Sequence, residues 1–289
     1  MSFLVAVKNS TTISSTISSK VSYYIYNVWS VEGDTRVAHM PLMSSGPWPV
    51  LAIIAGYLYF VKVYGPALMK DRKPLHLKEV MVAYNAIMVC LSFWMFYEGC
   101  LFLNFGLDTW GCGHNDYTSD TVKTRRFLFV CWCFFFSKLV EFADTIFMVL
   151  RKRLHQVSNL HVIHHSVVPI SVWMGLRFSP IGSNAWFPFL NSFVHTFMYA
   201  YFGLMALSDS LHPYVIYLLK VHKPWITRLQ ILQFCLALAH VLVAAVASAT
   251  TCPSGHLPKT FFSVNLGNAL LFLGLFYNFY RTSYKVKLT

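Results

Sequence analysis

Charge is what this chain has least of. Asp, Glu, Lys and Arg make up 12% of its 289 residues, about half of the roughly 25% found in a soluble domain. That depletion excludes an ordinary soluble fold. Acidic residues are the scarcer sign, 11 against 23 Lys and Arg. The seven cysteines form no CxxC pair and no metal-ligand spacing, so a cysteine-based metal site is not expected. A cleavable signal is also missing: "MSFLVAVK" is a short apolar run that passes directly into the polar "NSTTISSTISSK". No 20–50-residue repeat is evident. What is abundant is apolar side chain, 56% hydrophobic and 17% aromatic, with a mean hydropathy of +0.52.

Seven apolar stretches, about 48–69, 78–104, 126–150, 161–178, 186–207, 228–250 and 260–280, are long enough to cross roughly 30 Å of hydrocarbon with some tilt. The chain therefore reads as an all-α membrane protein with seven transmembrane helices. Residues 1–47 form an N-terminal segment expected to be disordered and outside the bilayer. Residues 48–280 form the helical domain, and 281–289 a basic tail.

The basic residues set the orientation. A lumenal N-terminus places 13 Lys and Arg on the cytosolic side, among them Lys70, Arg72, Lys73, Arg151, Lys152 and Arg153, against 8 on the other. Asn9 begins an Asn-Ser-Thr glycosylation sequon, lumenal in this orientation. The C-terminal "KVKLT", with Lys287 and Lys285 third and fifth from the end, looks like the cytosolic dilysine retrieval signal of endoplasmic reticulum membrane proteins. A basic tail meeting anionic lipid is the alternative. Cys112 and Cys252 both fall in lumenal loops, where disulfides persist, and are a candidate bridge. Free thiols are the other reading.

Polar groups inside the apolar stretches carry the chemistry. "HVIHH" places His161, His164 and His165 at i, i+3 and i+4, one side of a helix. Ionisable groups at membrane depth are costly and face a polar cavity or one another. "KLVEFADT" recurs likewise: Lys138, Glu141, Asp144 and Thr145 form one stripe. Lys138 and Glu141 are a structural ion pair at i, i+3, a wall facing the histidines, or both. The fifth stretch adds Asn191, His195 and Tyr199, and the sixth begins with Arg228, Gln230 and Gln233. Those amides either hold a polar substrate group or bind helix to helix.

Three chemistries compete for this set. A metal-dependent lipid oxygenase needs roughly eight histidines in several boxes, but no second HxxHH is present. His39, His114, His212, His222 and His256 are scattered singly. A zinc site would need three or four convergent ligands. A non-enzymatic lipid binder or transporter has no need of a Lys-Glu-Asp stripe beside a histidine cluster, and the inverted repeats and broken helices of transporters are missing. Acyl transfer fits best. A neutral imidazole attacks a thioester readily, a second histidine moves protons, and basic loops suit the phosphates of coenzyme A.

"KLVEFADT" (138–145), "HVIHH" (161–165), "HTFMYAYF" (195–202) and "TRLQILQF" (227–234) resemble, in order and spacing, the signature boxes of the very-long-chain fatty acid elongases. The resemblance implies seven helices, with helices 2–7 forming a barrel around an acyl-chain tunnel and helix 1 outside. It implies a 3-oxoacyl-CoA synthase of the endoplasmic reticulum membrane that condenses long-chain acyl-CoA with malonyl-CoA, releasing CO2 and CoA. No bound cofactor or metal is implied. His164 would carry the acyl group, His195 would serve the second half-reaction, and His161 and His165 would orient the site. Lys138, Glu141, Asp144, Asn191 and Tyr199 would form its polar wall. Gln230, Gln233 and Arg228 would stand at the CoA entrance. Arg228 departs from the glutamine many members have there. The implied partners are membrane lipid, the reductases and dehydratase of the elongation cycle, and a second copy of the chain; no nucleic acid is expected.

Overall fold

The computed structural model describes residues 20, 22–110, 120–180, 182–250 and 259–285. Among these, regular structure is entirely helical. Short helical turns at Tyr23–Asn27 and Val28–Val31 precede eight helices. These are α1 (Trp48–Met69), α2 (Lys78–Phe102), α3 (Val122–Val140), α4 (Phe142–Leu150), α5 (Asn159–Phe178), α6 (Trp186–Ala206), α7 (Pro213–Thr250) and α8 (Lys259–Tyr280). Trp48–Met69, Lys78–Phe102, Pro213–Thr250 and Phe262–Tyr284 are long and apolar enough to cross a membrane. The other predicted spans are also helical, and carry most of the buried polar groups described below.

Local chemistry sets the ends. Thr121 caps α3 by accepting a hydrogen bond from the Thr124 amide at 3.1 Å. Ser158 caps α5 by accepting one from the His161 amide at 3.2 Å, which starts that helix directly before the histidines. Helix α1 widens to a π turn over Phe60–Tyr64 just before Pro66, because proline brings no N–H to the ladder. Gly65 is required there: a Cβ would stand 2.7 Å from Val149 Cγ1 of α4.

Two boundaries differ from the sequence expectation. The third stretch is one span in sequence but two helices in space, interrupted at Glu141, whose carboxylate is pinned between helices. The sixth begins at Pro213, not at 228, and runs 38 residues through Pro224. At 1.5 Å per residue that is roughly 57 Å, well beyond 30 Å of hydrocarbon. The signals that resembled a loop, Lys220, His222, Lys223 and Pro224, belong to its polar first turns.

The helices pack as neighbours in a definite order. Helix α2 lies against α6 and α3, α6 against α7, α7 against α8, α8 against α5, and α5 against α3. Helix α1 packs on α5 and α4. One apolar core joins Val50, Ile54 and Tyr57 of α1 to Phe135, Phe142 and Trp173. A second joins Met95, Phe134 and Phe189, and a third Val168, Phe234 and Phe272.

Candidate active site

Lys138, Glu141 and Thr145 of the stripe on α3 and α4 are buried. Lys138 and Glu141 are 2% and 1% exposed, so neither charge is tolerable alone. Lys138 Nζ donates to Glu141 Oε1 at 2.6 Å and to Asn191 Oδ1 of α6 at 2.8 Å, and sits 4.5 Å from the centre of the Phe134 ring. The same Glu141 oxygen lies 3.2 Å from His195 Nδ1. Lys138 Nζ is 3.5 Å from that nitrogen. A carboxylate oxygen only accepts, so His195 donates from Nδ1 to it, and in the neutral ring Nε2 keeps the lone pair. Asn191 extends the network by donating to Gln233 Oε1 of α7 at 3.4 Å. One turn further on, Tyr199 donates to Asp144 Oδ2 at 2.9 Å.

The HxxHH residues have three different settings. His161 Nε2 is 2.8 Å from the Thr145 hydroxyl, which is 2.9 Å from the Tyr57 hydroxyl of α1. Tyr57 donating to Thr145 and Thr145 donating to His161 Nε2 pairs both hydroxyl protons; in that arrangement His161 is the neutral tautomer protonated at Nδ1. His165 lies between its neighbours, 4.3 Å from His161 and 5.2 Å from His164, centre to centre. His164 makes ring contacts only among the described residues; it meets Phe272 of α8 edge-on at 5.1 Å. Pro169 lies one turn beyond His165 in the same helix. It has no N–H to give the His165 carbonyl, so the backbone ladder is open beside the histidines.

An apolar cavity of about 110 Å³ begins at Val168 and Phe272, beside His164. It extends between α3, α5, α6, α7 and α8 to Ser183, Asn184, Trp186 and His240. No three His, Cys, Asp or Glu side chains among the described residues converge as a metal-ligand set.

The remaining expected site residues fall elsewhere. Gln233 is buried and bonded to Asn191, inside the polar network and away from any surface entrance. Gln230 is one turn nearer the helix start, where its amide lies 3.4 Å from Met198 Sδ. Arg228 is exposed; its guanidinium lies 5.0 Å from the Trp225 ring and donates to the Tyr280 hydroxyl at 2.9 Å. Asn9, Cys112, Cys252 and Lys287 lie outside the described residues, as does the Lys285 side chain. Tyr57 was not anticipated. The signal for it was present: Val50, Ile54, Tyr57 and Val61 recur at helical spacing as the buried face of α1, and a tyrosine there has to find a partner for its hydroxyl.

Comparison with known proteins gives the family. Residues 42–289 match the GNS1/SUR4 family of ELO proteins. The chain belongs to that family. It is 40% identical over 262 residues to very long chain fatty acid elongase 7 of Drosophila melanogaster, covering 88% of this chain and 73% of that protein. It is 37% identical over 276 residues to very long chain fatty acid elongase 4 of Homo sapiens, covering 94% and 82%. Human very long chain fatty acid elongase 1 matches at 37% over 217 residues, 75% of each chain. All four histidines of the site, His161, His164, His165 and His195, fall inside the family match.

Proposed function

We propose that this chain is the condensing enzyme of very-long-chain acyl elongation. Long-chain acyl-CoA and malonyl-CoA give 3-oxoacyl-CoA, CO2 and free CoA. A nitrogen of His164 attacks the acyl thioester; the C–S bond breaks and CoA leaves as the thiol after taking up a proton. Malonyl-CoA then loses CO2. The carbanion so formed attacks the acyl-imidazole, the new C–C bond forms, and the His164 nitrogen leaves. His195, held by Glu141 with its Nε2 lone pair available, takes up a proton and passes it to the His164 nitrogen as that nitrogen leaves in the second step. The observation that carries this reading is the apolar cavity beginning at the ring of Phe272, against His164. It puts the bare imidazole of the cluster one ring away from a space suited to hydrocarbon. The direct test is elongation of a radiolabelled long-chain acyl-CoA by purified protein with malonyl-CoA, reading the 3-oxoacyl product; no product would overturn the reading.

The same reading extends to the whole domain. Residues 48–280 form seven spans, α3 and α4 together being the third. The neighbour order of α2, α3, α5, α8, α7 and α6 returns to its start, which supports a six-membered barrel with α1 outside. The basic cytosolic loops and Arg228 then stand near the mouth for coenzyme A, and the cavity, at about 110 Å³, takes a few carbons of the acyl chain. The protein resides in the endoplasmic reticulum with its N-terminus lumenal and C-terminus cytosolic, beside the reductases and dehydratase that consume its product. A glycosylation tag appended after Thr289 is expected to stay unmodified in cells; its modification would reverse the orientation.

The reaction as written needs no metal or cofactor. Enzyme treated with strong chelators and desalted is expected to retain its condensation rate. Loss of activity restored by iron or zinc would favour the oxygenase or zinc alternative.

Tyr57→Phe tests the tautomer of His161. The stacking of ring 57 on Phe142, 4.2 Å between centres, survives the change. Thr145 then loses its incoming donor and is free to turn to the carbonyl of the preceding turn. One net hydrogen bond corresponds to a drop in kcat of roughly 2- to 10-fold, with KM for acyl-CoA unchanged. An unaltered kcat would remove Tyr57 from the site.

A further inference from the structure

The far end of the cavity is not apolar. Ser183 is 4% exposed and, among the described residues, its Oγ has no hydrogen-bond partner. The indole Nε1 of Trp186 is buried and also has none. Both residues line the cavity, one turn apart at the start of α6. Around them the polar groups are already engaged. Asn184 donates to the Ser179 carbonyl at 2.8 Å and accepts from Asn265 at 3.3 Å. His240 donates from Nε2 to the Thr109 carbonyl at 2.9 Å while its ring stacks on Trp186 at 5.5 Å. A tunnel meant only for a methyl terminus gains nothing from two bare polar atoms, because a buried donor without an acceptor is destabilising.

We propose that Ser183 and Trp186 form a recognition site for an oxygen at the far end of the acyl chain, so that the enzyme accepts acyl-CoAs bearing a terminal or near-terminal hydroxyl. This rests on the reading that the cavity holds the acyl chain of a condensing enzyme. The complementarity is specific. Indole N–H is a donor only, so the ligand must offer an acceptor lone pair; the serine hydroxyl both donates and accepts. A hydroxyl oxygen accepts from Trp186 and gives its proton to Ser183, and all three groups are then paired. A terminal carboxylate would bring an uncompensated charge, and an alkyl terminus leaves both protein groups bare.

The helix supplies the length. From His164 to Ser179 on α5 is 15 residues, roughly 22 Å at 1.5 Å per residue. An extended chain advances about 1.25 Å per carbon, from C–C bonds of about 1.5 Å at tetrahedral angles. On this measure along α5, about 18 carbons separate the level of His164 from that of Ser179, four residues before Ser183; the cavity of about 110 Å³ holds only the last few of them.

The test compares two series of acyl-CoAs, about 14 to 22 carbons long, one ending in methyl and one in an ω-hydroxyl, with full-length enzyme and malonyl-CoA. Burying a hydroxyl without partners would cost the ω-hydroxy series roughly 5- to 150-fold in kcat/KM at every length. The proposal expects the wild type to elongate the hydroxy series within about threefold of the methyl series near 18 carbons, with discrimination on either side. It also expects Ser183→Ala and Trp186→Phe each to lower the hydroxy-to-methyl ratio by roughly tenfold. A wild type that elongates methyl chains and rejects hydroxy chains at all lengths would overturn the proposal alone, and would mean that ordered water satisfies the two atoms. Equal loss on both series in the variants would overturn it likewise. Failure with both series in the wild type would overturn the condensing-enzyme reading and this proposal together.

Discussion

Enzyme incubated with acyl-CoA alone is expected to release CoA and to gain the mass of one acyl group, while His164→Ala does neither and loses overall condensation by roughly 10³-fold or more. Acylation is a complete half-reaction if an imidazole is the acceptor, so it does not wait for malonyl-CoA. The acyl group should be labile to hydroxylamine, and steady-state kinetics should be ping-pong. Geometry favours His164 over its neighbours. The Nε2 of His161 is committed to Thr145, and His165 is enclosed by two imidazole rings. His164 alone meets the cavity through Phe272. The rival mechanism leaves the acyl group on CoA and uses a histidine only as general base. It expects a ternary complex and no CoA release before malonyl-CoA arrives. Intact-protein mass spectrometry separates the two. An unmodified chain, under conditions of fast turnover, would take the nucleophile role from His164 and leave the elongase assignment in place.

The second large effect is expected at the buried ion pair. Lys138→Met strands the Glu141 carboxylate, at 1% exposure, and takes the donor from Asn191. Removing one partner of a buried pair costs about 3–5 kcal/mol, so Tm in detergent should fall and activity should be lost. Glu141→Gln alone keeps the shape but weakens the hold on His195 Nδ1. By analogy with a histidine released from its carboxylate, kcat should drop on the order of 10²- to 10⁴-fold. The double variant separates the two roles. Lys138→Met with Glu141→Gln removes both charges, so most of the stability returns, while activity stays as low as in Glu141→Gln. If Lys138→Met leaves Tm and kcat intact, the pair neither supports the fold nor orients the site.

Much of this site was legible because a helix writes its faces at i, i+3 and i+4. That local rule alone determined that Lys138, Glu141 and Thr145 share a stripe, that three histidines occupy one side of α5, and that charge depletion marks a membrane protein. The boxes also determined the family. The rule is silent on what each stripe faces. Only packing brought Tyr57 of α1 to Thr145 across 88 residues of sequence and Lys138 to Asn191 across 53. Packing also placed Gln233 in the buried network, bonded to Asn191. The continuous 38-residue α7 was hidden because its first turns lie beyond the length that hydrocarbon requires, and polar residues there resemble a loop. The unpaired atoms of Ser183 and Trp186 had no sequence signature at all. Whether a buried donor finds an acceptor depends on the angle and depth at which neighbouring helices meet, and these are set by interlocking side chains from segments far apart in the chain.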